Sequence, residues 1–427
     1  MTSLHRRRYM PYWAIPACYA VVAVLAGLTL PRLEHRFLPG LQSGISPTAA
    51  LAILSSVGSG MIALTGIVFA LAFVMVQFSA TAYSPRLVLW LSRDPVVWHS
   101  VGIFSATFLY SLAAIAWVDR PGRGGVPLLS SWLVIGLLLV SVGMFIALIQ
   151  RISLLQIQRM LGFTAEHGRR VIDQMYPKLE AAASTANPAE LEPLPLTYTL
   201  QHTGSPQTFQ AVDVPALLAL SSASGAVVVL DSAVGDTLVE GTVMARVLGG
   251  NGSLDISALR DAFLLGDERT FEQDPKYAIR LLVDIAIRAL SPAVNDPTTG
   301  VQALDQIEDL LRRLGRRRLE IQGLRDGSGA LRIMVQLPSW DDFLTLAFDE
   351  IRFYGATSVQ VMRRMKALVA DLIEDLPPER RPSLLYWKRR LDQTIAKSFG
   401  SEEEKLEASV EDRQGLGVPR THVVHEP

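Results

Sequence analysis

From Ala49 to Val76 the chain carries no charged residue: AALAILSSVGSGMIALTGIVFALAFVMV. At 1.5 Å rise per residue, a helix of roughly 28 residues spans about 42 Å, more than the ~30 Å hydrocarbon core of a bilayer. The run predicts a membrane-spanning helix over 48–78 that tilts or extends past the interface. Its small residues set it apart. Ser55, Ser59, Ala63, Gly66 and Ala70 recur at three- and four-residue spacing, so they fall on one helical face. Ala52, Ser56 and Gly60 make a neighbouring row. A helix facing only lipid gains nothing from such a stripe. It serves either close helix packing, because small residues let backbones approach where no hydrophobic force drives association, or a polar lumen onto which Ser59, Thr65 and Gly66 open. A channel built from this helix needs both.

Three more apolar runs have the length of a span. The first covers 12–30, behind the basic cluster His5-Arg6-Arg7-Arg8, with Tyr12 and Trp13 at its entry. It is too long for the apolar core of a signal peptide and lacks a clear small-residue cleavage site, so it is expected to be retained. The others cover 96–118, with Trp98 and Trp117 towards its two interfaces, and 128–149, ending at Arg151. The loops joining these helices include Pro31 to Ser46 and the Gly/Pro turn DRPGRGGVP, Asp119 to Pro127. The balance of Lys and Arg puts both termini in the cytoplasm and the chain in the cytoplasmic membrane.

A chain of 427 residues suggests two or three domains. Half of it is apolar (49%) and mean hydropathy is +0.28, with the excess concentrated before residue 150. The expected fold is therefore a four-helix α-helical transmembrane domain over 1–150, followed by a cytoplasmic α+β domain. The net charge of −1 speaks against a nucleic-acid partner. Cys18 is the only cysteine, which excludes an internal disulfide and a cysteine-based zinc site.

Beyond the last span, Ile152, Leu155, Met160, Leu161, Val171, Ile172 and Met175 keep a helical period, predicting a stalk and linker over 151–195 that ends in EAAASTANPAELEPLP. The α+β domain is expected over 196–400. Leu196–Leu200, Ala226–Leu230, Thr237–Glu240 and Val243–Leu248 read as short strands, and their spacing predicts a small β-barrel or hairpin sandwich. VGDTLVEGTVMARV resembles the hairpin of biotinyl/lipoyl-like domains, but no lysine stands on the following tip, so a structural hairpin is expected. Arg318–Leu324 and Ala330–Leu337 form a second hairpin around Asp326-Gly327-Ser328-Gly329. Several amphipathic helices follow Ser339, and 401–427, charged and without period, is expected to be a disordered tail.

The densest stretch is Gly266 to Gly315. Lys276 to Leu290 is a helix, apolar apart from its first residue and Arg280, Asp284 and Arg288, which are four apart and share a face. Charges on such a helix must be paired to be tolerated. Asp296 caps the next helix, with Pro297 in its first turn. These residues are structural, or else Arg269, Arg280 and Arg288 line an anion pocket with Asn295 and Asp296 at a helix N-terminus. The seven histidines show no metal-ligand spacing, and no nucleophile elbow, phosphate loop or dinucleotide fingerprint occurs. No enzyme activity, metal or other cofactor is expected.

FSATAYSPR (Phe78 to Arg86), ERTFEQDPKYAIRLLVDIAIRALSPAVNDPTT (Glu268 to Thr299) and IRFYGATSVQVMRRM (Ile351 to Met365) resemble a family of predicted bacterial membrane proteins, domain of unknown function 2254. The resemblance runs from about Ala14 to Lys397. It implies an integral cytoplasmic-membrane protein of the same layout and brings no activity, substrate or catalytic residue.

The residues themselves point to a homo-oligomeric channel or pore-type transport protein in the lipid bilayer, passing an ion, with Gln77, Ser84 and Arg86 at the cytoplasmic mouth of the small-residue helix. The alternative is a non-transporting scaffold or sensor whose cytoplasmic domain binds a protein or a small anionic ligand.

Overall fold

The computed structural model describes residues 13–37, 44–82, 95–119, 126–152, 157–179, 194–250, 254–320 and 323–417. The chain divides into two compact units, one ending at Arg159 and the other beginning at Met160.

Among the described residues, the first unit contains four helices long and apolar enough to cross a membrane: α1 (Ala14–Phe37), α2 (Pro47–Ala82), α3 (Pro95–Val118) and α4 (Leu128–Ile152). Their organising element is α3. Half of its most apolar window is buried (50%), against 17% for each of the others, because α1, α2 and α4 all pack on it. The α1–α3 seam is close because Gly27 leaves no side chain there; a Cβ at that position would stand 2.5 Å from the Cβ of Ala113. Polar groups in the seam between α3 and α4 satisfy one another. Thr107 Oγ1 lies 3.1 Å from Ser141 Oγ, and both side chains also bond back to carbonyls one turn earlier.

Helix α1 runs past Pro31, where the sequence predicts a loop from 31 to 46. The last turn has a use that composition does not announce. Glu34 is buried, and its Oε1 accepts the Leu129 amide at 2.8 Å while Oε2 accepts that of Ser130 at 3.3 Å. The carboxylate thus satisfies open donors at the start of α4 and favours the positive end of that helix.

The second unit is mixed α/β. It opens with α5 (Ile157–Met175), followed by β1 (Leu196–Gln201), β2 (Gln207–Val212), α6 (Val214–Ser224), β3 (Ala226–Leu230), β4 (Thr237–Leu238), β5 (Val243–Gly249), α7 (Ile256–Asp261) and β6 (Phe263–Gly266). Then come α8 (Pro275–Ala289), α9 (Pro297–Gly315), β7 (Gly323–Arg325), β8 (Leu331–Met334), α10 (Trp340–Tyr354), α11 (Val359–Asp375), α12 (Arg381–Ser398) and α13 (Glu402–Ser409).

The expected barrel is not formed by the described strands. They make a five-stranded sheet in the order β1-β5-β3-β8-β7 and a three-stranded sheet in the order β4-β2-β6. The two strands flanking Gly241-Thr242 do not pair as a hairpin: β4 joins β2, whereas β5 joins β1 and β3. All pairings are antiparallel except β3 with β8. One apolar cluster serves both sheets, drawing Leu200, Val228, Val247 and Ile333 from one and Phe209, Leu238 and Phe263 from the other. Burial of both sheets against this shared core replaces closure as the means of covering them.

Two further expectations change. Helix α5 is a core element of the second unit rather than a free stalk: Met160, Leu161, Ala165, Val171 and Ile172 are buried. Gly168 fits against Ala278 of α8 and Leu310 of α9, and Arg169 reaches Asp309 at 2.8 Å. Residues 401–417 are not a disordered tail. Ser401 and Glu404 form a reciprocal cap that starts α13. Beyond it, Arg413 pairs with Asp371 of α11 at 2.5 Å, and Asp412 accepts the amides of Gln414 and Gly417. The remainder of that predicted tail, 418–427, lies outside the described residues.

Candidate functional site

Two groups of residues invite a functional use, and the fold treats them differently. On α2, the residues turned towards α3 are Leu54, Met61 and Val68, all buried. The small-residue face points elsewhere: Ser55, Ser59, Ala63, Gly66 and Ala70 are all exposed, as are Ala52, Ser56 and Gly60. Nothing lies within 4 Å of a Cβ built at Gly60 or Gly66. The hydroxyls of Ser55 and Ser59 have no hydrogen-bond partner among the described residues, whereas Thr65 donates to the Met61 carbonyl at 2.8 Å. The other described helices therefore leave the stripe uncovered. Of the three residues expected at the mouth of this helix, Gln77 lies exposed on α2; Ser84 and Arg86 are outside the described residues.

The polar residues between Gly266 and Gly315 resolve into separate structural assemblies. Asp274, 1% exposed at its side chain, caps α8 by accepting the Tyr277 amide at 3.2 Å, and takes the Nε–H of Arg269 at 2.7 Å. Burial pushes the Asp274 carboxyl above the usual aspartate range against the pull of Arg269. The Arg269 guanidinium also lies over the Tyr277 ring, 5.5 Å from its centroid. Gly235 has φ +96° and abuts both members of the pair, which brings the turn before β4 down onto the start of α8. Gln273 completes the junction, its amide group exchanging two hydrogen bonds with the backbone of Val212.

One turn into α8, Arg280 donates from Nε to Asp284 at 2.7 Å and forks onto both oxygens of Glu350 on α10. Those hydrogen bonds, led by Glu350, hold the guanidinium pKa above its ordinary value. Arg288, half-buried in the last turn, takes part in no ion pair among the described residues; as a cation near a helix C-terminus it complements the dipole. Asn295 is the only non-glycine with positive φ (49°) among the described residues, and its amide donates to the Ser291 carbonyl at 2.8 Å. Asp296 caps α9 by accepting the Thr299 amide and hydroxyl, at 3.1 and 2.6 Å. Arg269, Arg280, Asp284 and Asp296 thus each have structural partners among the described residues.

Sequence reasoning missed a well-covered ion-pair network that ties α9 to α11. Arg364 of α11, with 4% of its side chain exposed, binds Asp305 at 2.8 Å and Glu308 at 2.6 Å on α9. Glu308 also receives Arg312, which continues to Asp375. The local signal was Glu308 and Arg312, four apart on one helix; the partners on α11 are more than fifty residues away. Among the described residues, no group of three or more His, Cys, Asp or Glu side chains could hold a metal ion.

Four apolar helices, one with an unspent small-residue face, followed by an α/β unit tied together by ion pairs, are the features to set against known proteins. The family described as predicted membrane protein, domain of unknown function 2254, matches residues 10–371. The chain belongs to this family. It is a membrane protein with four candidate spans. An uncharacterized protein of Mycobacterium bovis is 27% identical over 434 residues, a stretch covering 97% of this chain and 81% of that protein. An uncharacterized protein of Mycobacterium tuberculosis shares the same identity and coverage. No solved structure matches the chain.

Proposed function

We propose that the chain is a homo-oligomeric channel or pore-type transport protein of the cytoplasmic membrane. Both termini lie in the cytoplasm, and the α/β unit serves assembly and gating. One observation carries this: the small-residue face of α2, from Ser55 to Ala70, is exposed and has no partner among the described residues. In hydrocarbon, small residues contribute by close approach of another helix, and unpaired serine hydroxyls are unfavourable without a polar neighbour or water. A second copy supplies the first and a lumen between copies supplies the second. The protein acts without covalent chemistry.

Single-channel recording of the reconstituted protein, beside Ser59→Leu and Gly66→Leu, tests this. Unitary currents that either substitution abolishes or resizes support the proposal. Silence of the parent protein under voltage, tension and varied ions contradicts it. A sealed membrane scaffold or sensor is the second reading, favoured by the way Thr107 and Ser141 spend their hydroxyls on each other inside one copy. It calls for oligomers without conductance and for a ligand-dependent rise in the melting temperature of the α/β unit.

A further inference from the structure

Helix α12 turns two faces to different environments. Leu384, Trp387, Leu391, Thr394 and Ile395 are buried against the rest of the unit. The opposite face exposes Arg381, Leu385, Tyr386, Arg389 and Lys397. Among the described residues the three cations have no partner, whereas Lys388 and Arg390 nearby are engaged by Glu411 and Asp349. Asp392, the only acid on the helix, is neutralised by Lys366 at 2.5 Å. Leu385 and Tyr386 are 43% and 46% exposed, so the face joins free positive charge to apolar surface. Glu379, also exposed, precedes the helix rather than lying on its face.

We propose that this face of α12 docks on an anionic lipid surface. Free cations complement lipid phosphates, and an aliphatic and a phenolic side chain between them suit the boundary between headgroups and acyl chains. A protein carrying its own candidate spans keeps such a surface within reach, and weak attraction suffices for a tethered face. The inference does not depend on whether the membrane unit conducts.

Nanodisc reconstitution of the full chain tests it. Cys18→Ser removes the sole cysteine and Tyr386→Cys places an environment-sensitive fluorophore on the face. Quenching by a doxyl-labelled lipid is compared in phosphatidylcholine and in phosphatidylcholine mixed with phosphatidylglycerol. The expected result is quenching with phosphatidylglycerol that falls as salt rises and weakens roughly fivefold for each of Arg381, Arg389 and Lys397 replaced by alanine. The salt titration of the otherwise unsubstituted labelled chain stands even if a multiple variant folds poorly. Quenching equal in both lipids, or absent from both, overturns the proposal. So does burial of the probe that follows protein density rather than lipid charge, which indicates a second copy on this face.

Discussion

Arg280 of α8 and Glu350 of α10 are joined by a forked ion pair, Nη2 standing 2.8 Å from Oε2. Seventy residues of sequence separate them. Arg280 is well covered at 19% side-chain exposure, while Glu350 is more open at 43%, so the pair falls between a surface bridge and a buried one. A double-mutant cycle with Arg280→Ala and Glu350→Ala is expected to give a coupling of about 1–2 kcal/mol in denaturation of the detergent-solubilised protein. Coupling indistinguishable from zero makes the pair a solvated contact.

Gly168→Ala sets two effects against each other. Alanine raises helix propensity by up to about 1 kcal/mol. The new methyl, however, would stand 2.8 Å from the Cβ of Ala278 and 3.0 Å from a methyl of Leu310. Ala278 has no rotamer by which to yield, so overpacking of about 1–3 kcal/mol prevails. The melting temperature is expected to fall; a rise means that α5 shifts freely on α8 and α9.

Tyr176 is buried (1% exposed) and its hydroxyl has no hydrogen-bond partner among the described residues. Burial raises its pKa, reinforced by the nearby Asp274 carboxylate, so the phenol is neutral at physiological pH. Removing an unpaired buried hydroxyl while keeping the ring relieves desolvation. Tyr176→Phe is expected to leave stability unchanged or raise it by up to about 1 kcal/mol, read from thermal melts. A marked loss identifies a bridging water on that oxygen.

Acid should weaken the β7–β8 hairpin through Asp326. Its carboxylate accepts from Ser328 Oγ and N, from Ala330 N and from Arg332 Nε, interactions that hold its pKa well below the aspartate range. A depressed folded-state pKa contributes stability that is present above the unfolded value, about 3.9, and lost as pH falls through the folded one. Amide exchange at Gly329 and Ala330, corrected for intrinsic rate, should show protection lost on acidification below about pH 4, with Asp326→Asn flat over that window. Asp274 acts in the opposite sense, since burial raises its pKa and acid relieves its cost.

Much of the fold follows from local pattern. The uncharged run behind Ser55 to Ala70 became α2, and Asp213, Asp274, Asp296, Ser339 and Ser358 each cap a helix through their side chains. Where pattern misled, a distant partner decided. Pro31 suggested the end of a helix, but Glu34 anchors the turn beyond it to α4. The strand β2 was hidden because its alternation is broken by a bulge between Phe209 and Ala211, with Gln210 bonding out to the Glu268 carbonyl. VGDTLVEGTVMARV reads locally as a hairpin, yet its strands serve two sheets, a choice made by the shared core. At the candidate sites, the face shared by Arg280, Asp284 and Arg288 was legible; Glu350, which turns Arg280 into a structural residue, was not.

The central claim is that the Ser55–Ala70 face of α2 meets a second copy of the chain. Its most direct test is the mass of the protein held in lipid nanodiscs or mild detergent, measured by native mass spectrometry beside Gly66→Leu. An oligomer of defined stoichiometry that Gly66→Leu dissociates is the predicted result. A monomer in both media, or an oligomer indifferent to a leucine at position 66, contradicts it.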